Sequence, residues 1–196
     1  MKKKIIIGIT GASGIIYSIK LLEYLNLLPN IETHLIISYS ARQILSLETK
    51  YTIKYLKSIA NVFYDYRDTS ASIASGSFIT SGMIVLPCSI KTLSSIANSY
   101  SNTLIIRAAD VILKENRKLI LCVRESPIHI GHIDLMSKVI KMGAIVAPPI
   151  PHFYHKPKKI EDIIMYTIYR IIDLFGIDNL NNKSFLRWKG TKKDNF

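Results

Sequence analysis

Short runs of β-branched residues alternate along this chain with longer segments of helical period, and that alternation constrains the fold more than any other feature. Lys4 to Ile9 reads as a strand, and Gly14 to Leu28 as a helix whose Ile15, Ile19, Leu22 and Leu25 share one face. His34 to Ile37 predicts a second strand, with a helix near Ser40 to Leu47. Met83 to Leu86 is a strand stopped by Pro87, followed by a helix from Ser89 to about Asn98. Asn102 or Thr103 can cap a helix running to Asn116. Leu119 to Val123, His129 to Met142, Ala144 to Ala147 and Ile160 to Phe175 continue the pattern as strand, helix, strand and helix. Strict alternation implies parallel pairing through helical crossovers, hence a doubly wound α/β fold with a mostly parallel sheet flanked by helices. In such a sheet ligands sit beyond the carboxyl ends of the strands. The loops after Ile9, Ile37, Leu86, Val123 and Ala147 are therefore the places to look for chemistry.

The 196 residues suit one domain, expected over 1–176, with a polar tail over 177–196 that contains Phe185 and Trp188. A chain this long buries about two-thirds of its unfolded surface and needs no disulfide or metal staple. Forty-eight per cent hydrophobic residues exclude intrinsic disorder. No apolar run reaches the length of a membrane span, and the run after Met1-Lys2-Lys3-Lys4 is broken by glycine too early for a signal peptide. A cytoplasmic location follows as the expectation. Cys88 and Cys122, away from any evident base, read as small buried residues. The net charge of +12 favours anionic partners, but its lysines and arginines are spread along the chain and form no basic stripe of the kind nucleic-acid binding requires.

Several loops carry chemistry-bearing residues. Gly8-Ile9-Thr10-Gly11-Ala12-Ser13-Gly14 joins the first strand to its helix, and its small residues allow an anion close approach to backbone N–H groups. No Gly-Lys-Ser/Thr follows, so it is not a Walker loop. The second strand ends in Ser38-Tyr39-Ser40 rather than in the acid that grips a dinucleotide ribose, which points to a mononucleotide. Pro87-Cys88-Ser89-Ile90-Lys91-Thr92 sets hydroxyls and a lysine at another helix start. Arg107 and Lys114, seven apart, share a helix face, and Arg107 could equally pair with Asp110. Arg124-Glu125-Ser126-Pro127 lies at a strand end, where an Arg–Glu pair beside a lysine makes an anion site with an adjustable proton inventory. Pro148 to His155 forms a rigid aromatic loop, and the serine-rich stretch Thr69 to Ser81 reads as a flexible surface loop or a cover over a site. His129 and His132 have no evident third partner for a metal.

Taken together, Thr10 to Gly14, Ser46 to Thr49, Ala74 to Ser77, Pro87 to Ser94, Arg107 to Asp110, Leu113 to Glu115, Arg124 to Pro127 and Pro151 to His155 resemble, in order and over nearly the whole chain, the UbiX-like flavin prenyltransferase family. The resemblance implies a Rossmann-like flavoprotein that joins a dimethylallyl group from dimethylallyl phosphate to N5 and C6 of reduced FMN without a metal. The product, prenylated FMN, would serve a UbiD-type decarboxylase, often in ubiquinone synthesis, and the enzyme would be a large homo-oligomer with sites between subunits. Carried over by position, Gly11, Ala12, Ser13, Ser38, Ser89, Ile90, Lys91, Thr92 and Arg124 would bind FMN. Lys114, Glu125, Tyr154 and Arg170 would hold the prenyl phosphate, and Ser13, Glu48, Arg107, Lys114 and Glu125 would stand around the reaction centre. Tyr39 departs from the family, whose members often carry a basic residue there. The same-fold alternative is an FMN-dependent cysteine decarboxylase, which would use a mid-chain histidine and a Pro-x-Met-Asn loop; this chain has no histidine between His34 and His129 and reads Pro148-Pro149-Ile150-Pro151. A basic nucleic-acid-binding module is the remote alternative.

Overall fold

A computed structural model describes residues 2–177 and Gly190. Six strands, β1 (Lys3–Ile9), β2 (Ile31–Ile37), β3 (Val62–Tyr64), β4 (Gly82–Cys88), β5 (Lys118–Val123) and β6 (Ile145–Val146), form one parallel sheet in the order β3-β2-β1-β4-β5-β6. Around it lie helices α1 (Ile15–Asn26), α2 (Tyr39–Glu48), α3 (Ile53–Ile59), α4 (Ile90–Ala97), α5 (Leu104–Lys114), α6 (Ile130–Lys141) and α7 (Ile160–Phe175). Beyond the lysines that open β1 and β5, the central strands are apolar because both of their faces are covered. Ile5, Ile7 and Ile9 of β1 pack with α1 and α7 in one core, while Ile6 packs with α4 and α5 in the other. Gly8 faces that second core where space is short, since a Cβ there would lie 3.1 Å from Met83 Cε.

The doubly wound, all-parallel architecture matches the expectation. Two elements escaped it. Thr52 caps α3 by accepting from Tyr55 N at 3.1 Å, and β3 adds three half-buried residues at the sheet edge beside His34, Leu35 and Ile36. Ile177, the first residue of the expected tail, is buried in the first core, and the rest of the tail apart from Gly190, Phe185 and Trp188 included, lies outside the described residues. No helix among the described residues is long and apolar enough to cross a membrane.

The edge strand is tied down through a buried histidine. His34 is 2% exposed; its Nε2 lies 2.9 Å from Glu32 Oε1 and its Nδ1 2.9 Å from the Tyr64 hydroxyl, which also meets Ser72 Oγ at 3.1 Å. Burial holds the imidazole below its ordinary pKa; the bond to Glu32 opposes this, and Lys4 adds to it. Below about pH 6.5 the unfolded chain therefore takes up a proton that the native state resists, so stability falls with pH until the native imidazole also titrates. Urea midpoints at pH 7.5 and 5.5 should show this loss in the wild type. His34→Gln should be weaker at pH 7.5 and show a smaller drop between the two.

Candidate active site

The strand order reverses between β1 and β4, and the crevice this opens is where the site is built. Buried Thr10 bolts the two strand ends together: its hydroxyl donates to Pro87 O at 2.7 Å and accepts from Ser89 N at 2.8 Å. Ser38 N donates to Ile9 O at 3.0 Å, so the end of β2 joins the same cluster. Three helices then start around one space. Ser38 caps α2 by accepting from Ala41 N at 3.1 Å, and Ser89 caps α4 by accepting from Thr92 N at 3.3 Å. Thr103 begins α5 without a side-chain cap, and Leu104 N is taken by Tyr66 O at 2.8 Å.

The space is a cavity of about 340 Å³. Five of the residues expected to bind a flavin line it: Gly11, Ser38, Ser89, Lys91 and Thr92. Gly11 is required here by contact, because a Cβ would overlap that of Ser40. Hydroxyls, the Lys91 ammonium and three helix N-termini make this a seat for a doubly charged anion. Ile105 and Ile106 give it one apolar wall. Tyr39, Ser40, Tyr66, Ser95, Asn102 and Thr103 complete the lining and were not singled out by spacing as site residues. Ser95 could have been found, since it stands one helical turn from Lys91 and Thr92. Tyr66 could not, because it depends on the unrecognised strand β3.

Ala12, Ser13, Ile90 and Arg124 do not line this cavity. Arg124 reaches the cluster through its backbone, with N donating to Cys88 O at 3.0 Å, and its side chain is exposed. The first loop also differs from expectation in its anion. The Glu48 carboxylate, from the end of α2, accepts from Gly14 N at 2.9 Å and from Ile15 N at 3.2 Å. The N-terminus of α1 is therefore already neutralised by the protein's own acid. This places Glu48 against the Ala12-Ser13-Gly14 turn and leaves the starts of α2, α4 and α5 around the cavity.

The remaining candidates stand apart from the cavity. Arg107 forms the ion pair open to it, Nη1 lying 3.2 Å from Asp110 Oδ2, while Nε donates to Ala74 O at 3.2 Å. Lys114 pairs with Glu115, whose carboxyl is held below its usual range chiefly by that hydrogen bond. Glu125 is exposed and its Oε1 accepts from Ser126 N at 3.0 Å. Tyr154 packs edge-on to Tyr166 in an aromatic cluster with His152 and His155, and Arg170 is exposed on α7. The serine-rich loop is not loose: Arg117 donates to Gly76 O at 2.7 Å and to Phe78 O at 3.0 Å, and Arg107 holds Ala74.

Both cysteines are buried, and desolvation pushes Cys88 up to about 12 and Cys122 also upward, so neither is a thiolate at neutral pH. His129 serves as the cap of α6, its Nδ1 accepting from Gly131 N at 3.1 Å. Among the described residues no three His, Cys, Asp or Glu side chains gather as a metal site.

A family model described as Flavoprotein matches residues 1–171. Flavin prenyltransferase UbiX of Escherichia coli K12 is 52% identical over 188 residues, 96% of this chain and 99% of its own. A crystal structure of AnUbiX in complex with FMN and dimethylallyl pyrophosphate superposes with a TM-score of 0.93 at 40% identity, covering 98% of this chain and 100% of that one. A dodecameric FMN-dependent UbiX-like decarboxylase from Escherichia coli O157:H7 gives 0.91 at 42% identity, with 95% and 100% covered. The FMN-dependent cysteine decarboxylase TvaF gives a TM-score of 0.61 at 12% identity, which speaks for the fold alone. The chain belongs to the flavoprotein family and, within it, to the UbiX-like flavin prenyltransferases.

Proposed function

We propose that this chain joins the dimethylallyl group of dimethylallyl phosphate to N5 and C6 of reduced FMN, releasing phosphate and making prenylated FMN for a UbiD-type decarboxylase. The observation that carries this is the cavity at the β1–β4 reversal, where Gly11 leaves room and the starts of α2, α4 and α5 converge with Lys91. Its charge and hydroxyls fit the phosphate end of FMN. Ser38, Ser89 and Thr92 would hold that phosphate with Lys91. Gly11, Ala12, Ser13, Ile90 and Arg124 would border the rest of the flavin, and Glu48, fixed on Gly14 and Ile15, would orient the turn that presents Ser13. FMN supplies the nucleophilic atoms and an aromatic face that favours allylic cation character.

Lys114, Glu125, Tyr154 and Arg170 would hold the donor's phosphate, with Arg107 close to the reacting atoms. Cationic side chains and a phenol would then stabilise the departing phosphate without a metal, and Glu125 would pass the proton given up by the flavin, by way of Lys114, to the leaving oxygen. These residues are dispersed over the surface of a single chain. That dispersal, the exposed Ile130, Ile133 and Ile140 of α6, and the dodecameric relative support a large homo-oligomer in which neighbouring copies complete each site. The domain boundary at 176, cytoplasmic residence and a place in ubiquinone synthesis belong to the same proposal.

The test is anaerobic incubation of the protein with reduced FMN and dimethylallyl phosphate in the presence of a divalent-cation chelator. A flavin heavier by one five-carbon unit, with an altered absorbance spectrum, is the expected product. Unchanged FMN, or turnover of a cysteinyl peptide in its place, would sink the proposal.

A further inference from the structure

We propose that Glu115 is a positioning residue that presents the Lys114 ammonium to a phosphate ester, braced by Arg117 and by the bare backbone at Gly76; the inference rests on the proposal that Lys114 binds the donor's phosphate. Lys114 ends α5 and Glu115 is its C-cap, with φ −91° and ψ 8°, so the two neighbours can meet sideways and pair. The other carboxylate oxygen of Glu115 lies 3.8 Å from Arg117 Nη2. Arg117 is itself fixed by Gly76 O and Phe78 O and is only 16% exposed. At Gly76 an added Cβ would overlap Glu115 Oε1 and lie 2.8 Å from Lys114 Nζ, so the ion pair rests directly on the loop backbone. Two residues earlier the same loop receives Arg107 through Ala74 O. Both candidate cations of α5 are thus registered to one segment.

The arrangement favours anion binding on two counts. A lysine side chain has four rotatable bonds, and fixing it beforehand removes an ordering cost that the ligand would otherwise meet. Glu115 occupies one of three ammonium N–H donors and leaves two for a phosphate. Arg117 offsets the acid, so the three side chains together carry one net positive charge. At 49% side-chain exposure, Lys114 remains accessible.

The experiment is steady-state prenyl transfer by the full-length protein with dimethylallyl phosphate as the varied substrate. Glu115→Gln should raise KM about tenfold, with a smaller change in kcat and unaltered FMN affinity. Gly76→Ala, which keeps the acid but displaces it, should give the same pattern. In a Lys114→Met background, Glu115→Gln should add nothing, as coupled groups require. An unchanged or lowered KM in Glu115→Gln overturns the proposal, as does a further loss in the Lys114→Met background, which would mark a general structural role. A wild-type protein that forms no prenylated flavin overturns the functional assignment itself, and this inference with it.

Discussion

Gly11→Ala should lose tight FMN binding while leaving a folded protein. Gly11 sits where the first loop passes the start of α2, and a methyl group there would overlap the Cβ of Ser40. Neither partner is the free end of a long side chain, so relief requires the backbone of one loop to move. The Ser38–Ser40 turn is the movable party, because the first loop is bolted through Thr10 to Pro87 and Ser89. Its displacement carries Ser38 and the N-terminus of α2 away from Ser89, Lys91 and Thr92, which opens the anion seat. Overpacking of this kind costs about 1–3 kcal/mol. Taken wholly from the site, that is about 5- to 150-fold in FMN affinity. Flavin fluorescence titration measures the affinity, and a thermal melt without flavin checks that the cores still form. Wild-type affinity in Gly11→Ala would mean that FMN is not held at this turn.

The sheet was legible because burial on both faces leaves an unmixed apolar signature. Lys4 to Ile9 and Leu119 to Val123 were readable to within a residue or so for that reason. Strand β3 was not, since three half-buried residues at an edge carry neither length nor alternation, and Tyr66 of the cavity was hidden with it. The turns that line the cavity were legible as small residues at strand ends. Which helix terminus remained open for a ligand was not, because Glu48 lies 34 residues from Gly14 in sequence and only folding shows that it occupies that terminus. The serine-rich loop misled in the opposite sense. Its composition suggests freedom, yet three of its carbonyls are held by Arg107 and Arg117, and backbone acceptors leave no trace in side-chain composition.

Lys114→Met and Glu125→Gln should each slow prenyl transfer by about 10²- to 10³-fold, the usual loss when one preorganised electrostatic contact to a developing anion is removed. An allylic phosphate ionises only if the departing oxygens are stabilised, and without a metal that stabilisation must come from side chains. Flavin affinity should stay unchanged in both variants, because neither residue lines the cavity that holds Gly11, Ser38, Ser89, Lys91 and Thr92. Single-turnover formation of the heavier flavin, measured beside FMN titration, separates the two effects; wild-type rates would remove both residues from the chemistry. Their distance from the cavity has a second consequence. If neighbouring copies complete each site, a Gly11→Ala subunit can still offer Lys114, and a Lys114→Met subunit can still hold FMN. Co-expressed, and assayed at an FMN concentration that leaves Gly11→Ala largely unloaded, the two impaired variants should recover part of the wild-type rate through mixed sites. Recovery absent from a preparation shown to contain both subunits in one particle would confine the reaction to residues of a single chain.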